Sequence, residues 1–175
     1  MIGCRSRWLA LLGALSILAG CAPNYLPCPS TQILREAASV TKFASNQPSG
    51  PTAVAYVGSI ADAKLSCSYD VNTQSRLTVV LGVQVAAERN PNLRVDAADL
   101  KYFVAIVNLR GEVQAKKEFP LTLPFPPGST VASKVERIDQ TIPLKYPQNG
   151  GSLQVWVGFQ LSDAELQYNR SHGGT

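Results

Sequence analysis

Hydrophobic and polar positions change their period once along this chain, near Ala53. Before that point Ile33, Leu34, Ala37, Ala38 and Thr41 recur at helical spacing behind Ser30, which predicts a short capped helix ending near Phe43. The turn-rich stretch SNQPSGP, Ser45 to Pro51, closes it. Beyond Ala53 the period is two. Ala63, Leu65, Cys67, Tyr69 and Val71 alternate with Lys64, Ser66, Ser68 and Asp70, a half-buried strand that points Cys67 inward. Leu77, Val79, Leu81, Val83 and Val85 repeat the pattern. VDAADL, Val95 to Leu100, reads as one capped turn, with Asp96 as cap and Val95 reaching Leu100. Tyr102 to Val107 is apolar on both faces, as a central strand must be. Hairpins are expected at NLRGE, where Gly111 can take a positive φ, and at QNGG, where Asn149 and Gly150 form a strong turn signal. Leu153, Val155, Val157, Phe159 and Leu161 share one face of the arm that follows. The closing LSDAELQYNR predicts a short helix capped by Ser162, with Glu165 reaching back and Leu161 stapled to Leu166. Ser171 to Thr175 then form a loose tail.

Six or seven mostly antiparallel strands, with short N- and C-terminal helices, predict an immunoglobulin-like or fibronectin-like β-sandwich over residues 53–170. Residues 21–52 form a linker and the first helix, with Pro23, Pro27 and Pro29 in the linker. No internal repeat interrupts this single domain.

The first twenty residues are built differently. Arg5 and Arg7 precede an apolar run from Trp8 to Ala19, the layout of an export signal and too short to span a bilayer comfortably. LAGC, Leu18 to Cys21, resembles the lipobox of bacterial lipoproteins. The resemblance implies cleavage before Cys21 and acylation of its thiol and new amine, so that the membrane is a partner through the acyl chains on Cys21. Each buried methylene contributes about 0.8 kcal/mol and two or more chains anchor stably, so no transmembrane helix is required. Ala22 follows the cysteine instead of the Asp that marks inner-membrane retention in enterobacteria. Outer-membrane delivery, with the domain facing the periplasm, is the expectation.

Cleavage would remove Cys4 with the signal and leave Cys28 and Cys67 as the unmodified pair. In an oxidising compartment the pair suggests one disulfide. The alternative is a free thiol at Cys28 and a small buried hydrophobe at Cys67. Loss of Arg5 and Arg7 also lowers the net charge from +4 to about +2. Lys101, Lys116, Lys117, Lys134 and Lys145 are interleaved with Glu118, Glu136 and Asp139, a mixed surface that argues against a nucleic-acid partner.

Candidate chemistry is sparse. The single histidine, His172, is the fourth residue from the end, between a serine and glycines, a poor setting for an oriented base. No His/Cys set, calcium loop or phosphate-binding turn is spelled out, so neither a metal nor another cofactor is expected, and the enzyme class is disfavoured. Asp96 and Asp99 are better accounted for by helix capping than as an acid pair. FPLTLPFPP, Phe119 to Pro127, is the candidate partner surface, through Phe119, Leu121, Leu123 and Phe125. The competing reading is a proline-protected edge strand whose alternation sends much of the stretch into the core.

The lipobox, LSCSYD, KYFVAIVNLRGEVQAKKEF, TIPL and above all GFQLSDAELQYNR, Gly158 to Arg170, together resemble a family of small uncharacterised lipoproteins of alphaproteobacteria. The resemblance covers nearly the whole mature chain and implies an envelope location, with no activity to carry over. Two functional classes follow: a lipid-anchored, non-catalytic binding or scaffold module contacting an envelope protein, or a periplasmic carrier of a small hydrophobic ligand. A lined apolar cavity between the sheets favours the carrier, and a filled core the scaffold.

Overall fold

The computed structural model describes residues 26–44, 53–70 and 72–172. The export signal, Cys21, the SNQPSGP turn and Val71 lie outside those residues. Among the described residues there are eight strands, against the six or seven expected: β1 (Ser30–Ile33), β2 (Ser39–Phe43), β3 (Val54–Tyr69), β4 (Arg76–Arg89), β5 (Ala97–Asn108), β6 (Val113–Pro124), β7 (Val131–Pro143) and β8 (Leu153–Phe159). They form two four-stranded sheets, in the orders β1-β8-β5-β6 and β2-β3-β4-β7. Every pairing is antiparallel except that of β1 with β8. The expected β-sandwich is therefore the fold, with one C-terminal helix, α1 (Asp163–His172).

The inner faces follow the period-two pattern. Leu77, Val79, Leu81, Val83 and Val85 of β4 are each at most 2 % exposed. Leu81, Val83 and Val85 cluster with Leu100 and Tyr102 of β5 and Val155, Val157 and Phe159 of β8, while Leu77 and Val79 pack with Ile142, Leu144 and Leu153. Burying a Val, Leu or Phe side chain fully contributes about 1.5–3 kcal/mol, so these strands supply most of the cohesion. In β3 the pattern changes parity. A bulge between Ile60 and Asp62 makes Ala61 an extra residue, so Gly58 and Ile60 are buried before it, and Ala63, Leu65, Cys67 and Tyr69 are the less exposed positions after it.

The sequence reading needs correction at three places. The predicted N-terminal helix does not form. Residues 30–43 are β1, a 3-10 turn over Arg35–Ala37, and β2. Here β1 adds to β8 in one sheet and β2 to β3 in the other, so the turn carries the chain between layers. A helix in their place would leave both strand edges without hydrogen-bond partners, and that tertiary demand outweighs a weak local periodicity.

The predicted capped turn at Val95–Leu100 is instead the start of β5, where Ala98 pairs with Leu123 and Leu100 with Leu121. The third correction is at QNGG. It joins β7 to β8, which belong to different sheets, so there is no hairpin there. Asn149 is extended, at φ −135° and ψ 176°. The hairpin at NLRGE does form between β5 and β6, with Gly111 at φ +82°.

At the C-terminus the capping box forms as read. The Ser162 amide donates to Glu165 Oε2 at 2.8 Å, and the Glu165 amide returns a bond to Ser162 Oγ at 3.3 Å. Helix α1 extends to His172, two residues into the expected tail.

Candidate interaction site

The two outer flanks of the sandwich are finished differently. On one side the edges are the short strands β1 and β2, and α1 lies against β2. Lys42 Nζ bonds Glu165 Oε1 at 2.6 Å, and the Phe43 and Tyr168 rings meet edge-on at 5.3 Å. The opposite side ends in the long strands β6 and β7, one at the margin of each sheet. Long unpaired edges are liabilities unless blunted or used.

The two halves of β6 differ. Pro120 and Pro124 stand opposite Lys101 and Ala97 of β5. The Lys101 carbonyl accepts from the Gln160 amide at 2.8 Å, so its backbone groups face away from β6. In antiparallel pairing the groups of its partner then point outward as well. The prolines thus delete donors from the free margin, which closes this half to strand addition. Lys116 and Glu118 occupy the same outward-facing set and keep both N–H and C=O. Every residue from Val113 to Glu118 is exposed.

Behind this lower half the sheets part. An apolar cleft of about 110 Å³ lies between β5–β6 and β4–β7, with Leu81, Ile106, Ala115, Phe119 and Ile138 in its walls. A wider hollow of about 390 Å³ shares Ile106, Ala115, Gln140 and Ile142 with it and continues to Leu153. Charged groups stand along the opening. They are Lys116 and Lys117, and Lys117 Nζ lies 5.3 Å from the centre of the Phe119 ring.

The four residues read as a partner surface are inside. Leu121, Leu123 and Phe125 are 5 %, 2 % and 9 % exposed, and Phe119 stacks on Tyr102 at 5.3 Å. The alternation of the stretch decides this, because three of its prolines lie on the outward positions and the apolar residues between them face inward. The core reading of FPLTLPFPP holds, and the edge that remains available lies just before it.

Cys28 and Cys67 are bonded, with their Cα atoms 5.7 Å apart. The bond ties the segment before β1 to the end of β3. Beside it, the Tyr69 hydroxyl donates to the Pro27 carbonyl at 2.6 Å and accepts from the Gly150 amide at 2.7 Å. Gly150 lacks a side chain because Tyr69 and Pro29 crowd that position, not because a turn requires a positive φ.

Asp96 and Asp99 do not combine. The Asp99 carboxylate accepts from Thr122 Oγ1 at 2.7 Å, and residues three apart on extended chain point to opposite faces. His172 ends α1 with its ring stacked on Tyr168 at 4.1 Å. Among the described residues no group of three His, Cys, Asp or Glu side chains is placed to hold a metal. No family model matches the chain, and no curated protein or solved structure matches it either.

The free lower half of β6 and the cleft behind it escaped the sequence reading. Pro120 and Pro124 were a usable signal, since prolines mark the outward-facing set of an edge strand. The parting of the sheets has no local signature. It depends on how β6 and β7, from separate sheets, stand relative to each other.

Proposed function

We propose that the chain is a lipid-anchored protein of the cell envelope, acylated at Cys21 at the outer membrane, with its domain in the periplasm as a non-catalytic binding or scaffold module. The observation that carries the reading is the Cys28–Cys67 bond, which ties the sandwich covalently to a segment only seven residues beyond the lipobox cysteine. A disulfide fits an exported domain. The partner contact is assigned to the lower half of β6, from Val113 to Glu118, where an extended segment of an envelope protein can add as a further strand. The family resemblance of GFQLSDAELQYNR agrees with the envelope location.

The carrier reading is weaker. Small-molecule sites typically enclose roughly 300–1,000 Å³; the apolar inter-sheet cleft offers about 110 Å³, and the hollow of about 390 Å³ that adjoins it is walled in part by Gln114, Gln140, Lys145 and Gln148 instead of being an apolar cavity. Native mass spectrometry of the purified protein distinguishes the two, since a carrier would hold a ligand in fixed proportion.

The decisive experiment is in-cell cross-linking of the full-length protein beside Cys21→Ser and Glu118→Pro variants. The proline removes an outward donor and no bond to β5, so the fold is retained. The reading expects wild type in the membrane fraction with an acylated N-terminal cysteine, and one envelope protein captured in proportion and lost in Glu118→Pro. Wild type as soluble as Cys21→Ser overturns the anchor, and capture unchanged in Glu118→Pro overturns the edge.

A further inference from the structure

One end of the sandwich gathers several features that neither the core nor the β6 edge uses. It is the end where Leu26, the first described residue, enters and where the Cys28–Cys67 bond sits. The β5–β6 hairpin tip and the β7–β8 connection meet there, with Leu109, Arg110, Lys145 and Pro147 around one shallow hollow. The Tyr69–Gly150–Pro27 hydrogen bonds hold the β7–β8 connection against the entering segment. Large apolar side chains crowd this end without cover: Leu109 is 68 % exposed, Val113 56 % and Tyr146 fully exposed. Arg110 and Lys145 line the hollow, Arg76 pairs with Pro143 at the same end, and the acids there are Asp70 and Glu112. Glu112 is engaged by Arg110 at 2.9 Å, and Asp70 accepts the Asn72 and Thr73 amides at 3.0 Å each.

We infer that this end is a membrane-contact surface, with Leu109 and Tyr146 seated at the headgroup level of the leaflet that holds the anchor and Arg76 and Lys145 facing its anionic lipids. The inference rests on the acylation of Cys21 proposed above. The chain length outside the described residues commits the occupant. Cys28 lies seven positions after Cys21, and even fully extended that span reaches no more than about 25 Å. The disulfide stops the tether from lengthening by peeling away from the sandwich. The opposite end, with the β4–β5 connection around Asn92, is separated from this one by the sixteen residues of β3, roughly 50 Å of strand. A Tyr with an apolar ring and a polar tip, a Leu and nearby cations are the side chains that an interface accepts. Brought to the surface by the lipid, they give the domain a fixed orientation, with the long axis of the sandwich standing off the bilayer and the β6 edge facing sideways to a partner.

The test uses full-length protein carrying a nitroxide on Leu109→Cys, on Tyr146→Cys or, as far-end control, on Asn92→Cys, incorporated into phosphatidylethanolamine–phosphatidylglycerol vesicles. Accessibility of each label to oxygen and to a water-soluble nickel chelate is compared with the same label in a Cys21→Ser background without vesicles. The expected result is a severalfold rise in the oxygen-to-nickel ratio at Leu109 and Tyr146, and none at Asn92. Protein that floats with the vesicles while all three labels read as aqueous overturns the contact surface and leaves the anchor standing. Protein that does not float overturns both. Shielding of the Tyr146 label that grows with protein concentration in the absence of vesicles also overturns it, because the covering surface is then a second copy of the chain.

Discussion

The Tyr102 hydroxyl lies in the sandwich interior with no hydrogen-bond partner among the described residues, on a residue with no exposed surface. Burial, and secondarily the charge of Glu136, push its ionisation up to about 12, so it stays neutral. A buried polar atom left unpaired costs about 1–3 kcal/mol, while the ring earns its position by stacking on Phe119. Tyr102→Phe is therefore expected to raise the urea-unfolding free energy by about 1 kcal/mol, and a loss of stability would contradict the account. Gly158 has the opposite sensitivity. A Cβ there would stand 2.8 Å from the Ala37 Cβ and 3.1 Å from the Phe103 ring. Gly158→Ala is expected to cost about 1–3 kcal/mol in the same measurement. Neither value can be read from the sequence, where Tyr102 is one more apolar strand position and Gly158 an outward-facing residue of β8.

At the scale of elements, α1 shows how local and tertiary causes divide. Its capping box is written in Ser162 and Glu165, three residues apart, and forms accordingly. Where the helix docks is decided by groups far away in the chain. Asn169 Nδ2 donates to the Glu36 and Ser39 carbonyls, and Lys42 meets Glu165 at 2.6 Å. Partial burial raises the Glu165 pKa, but the bonds from Lys42 and Ser162 outweigh it and hold the carboxyl below its ordinary value near 4.5. A carboxylate whose folded pKa is depressed contributes stability above the unfolded pKa, and that contribution is lost as pH falls through the lower folded value. Amide exchange should therefore show α1 losing protection below about pH 4.5. Lys42→Met should loosen the helix at neutral pH and shrink this dependence. An unchanged profile in Lys42→Met would remove the ion pair from the account.

For the whole molecule the disulfide is the main covalent constraint. It closes a sequence separation of 39 residues, which on the chain-entropy account corresponds to roughly 3–4 kcal/mol. Reduction is expected to lower the unfolding free energy by about that amount, measured with and without dithiothreitol. It should also loosen first the end that holds Pro27, Tyr69 and Gly150. A reduced protein as stable as the oxidised one would show that the Tyr69 hydrogen bonds and β1–β8 pairing suffice to hold the entering segment. The same end carries the exposed Leu109 and Tyr146, so on the membrane-contact proposal reduction should also release the orientation inferred above.

Alternation along β3, β4 and β8 was legible because a side chain's face is a property of its own strand, repeated every second residue. The Gly111 turn and the α1 cap were legible for the same reason: each is completed within a few residues. Residues 30–43 were not. Their helical spacing is a local preference worth tenths of a kcal/mol per residue, and the unpaired margins of β3 and β8 outbid it. QNGG was misread because a hairpin and a crossover can use the same residues, and only the placement of β7 and β8 in separate sheets distinguishes them. Sequence alone determined which residues of β3, β4 and β8 face inward and where the C-terminal helix begins. The tertiary structure decided which strands are edges, where the sheets part, and which end carries Leu109 and Tyr146 beside Cys28, because each depends on pairings between distant parts of the chain.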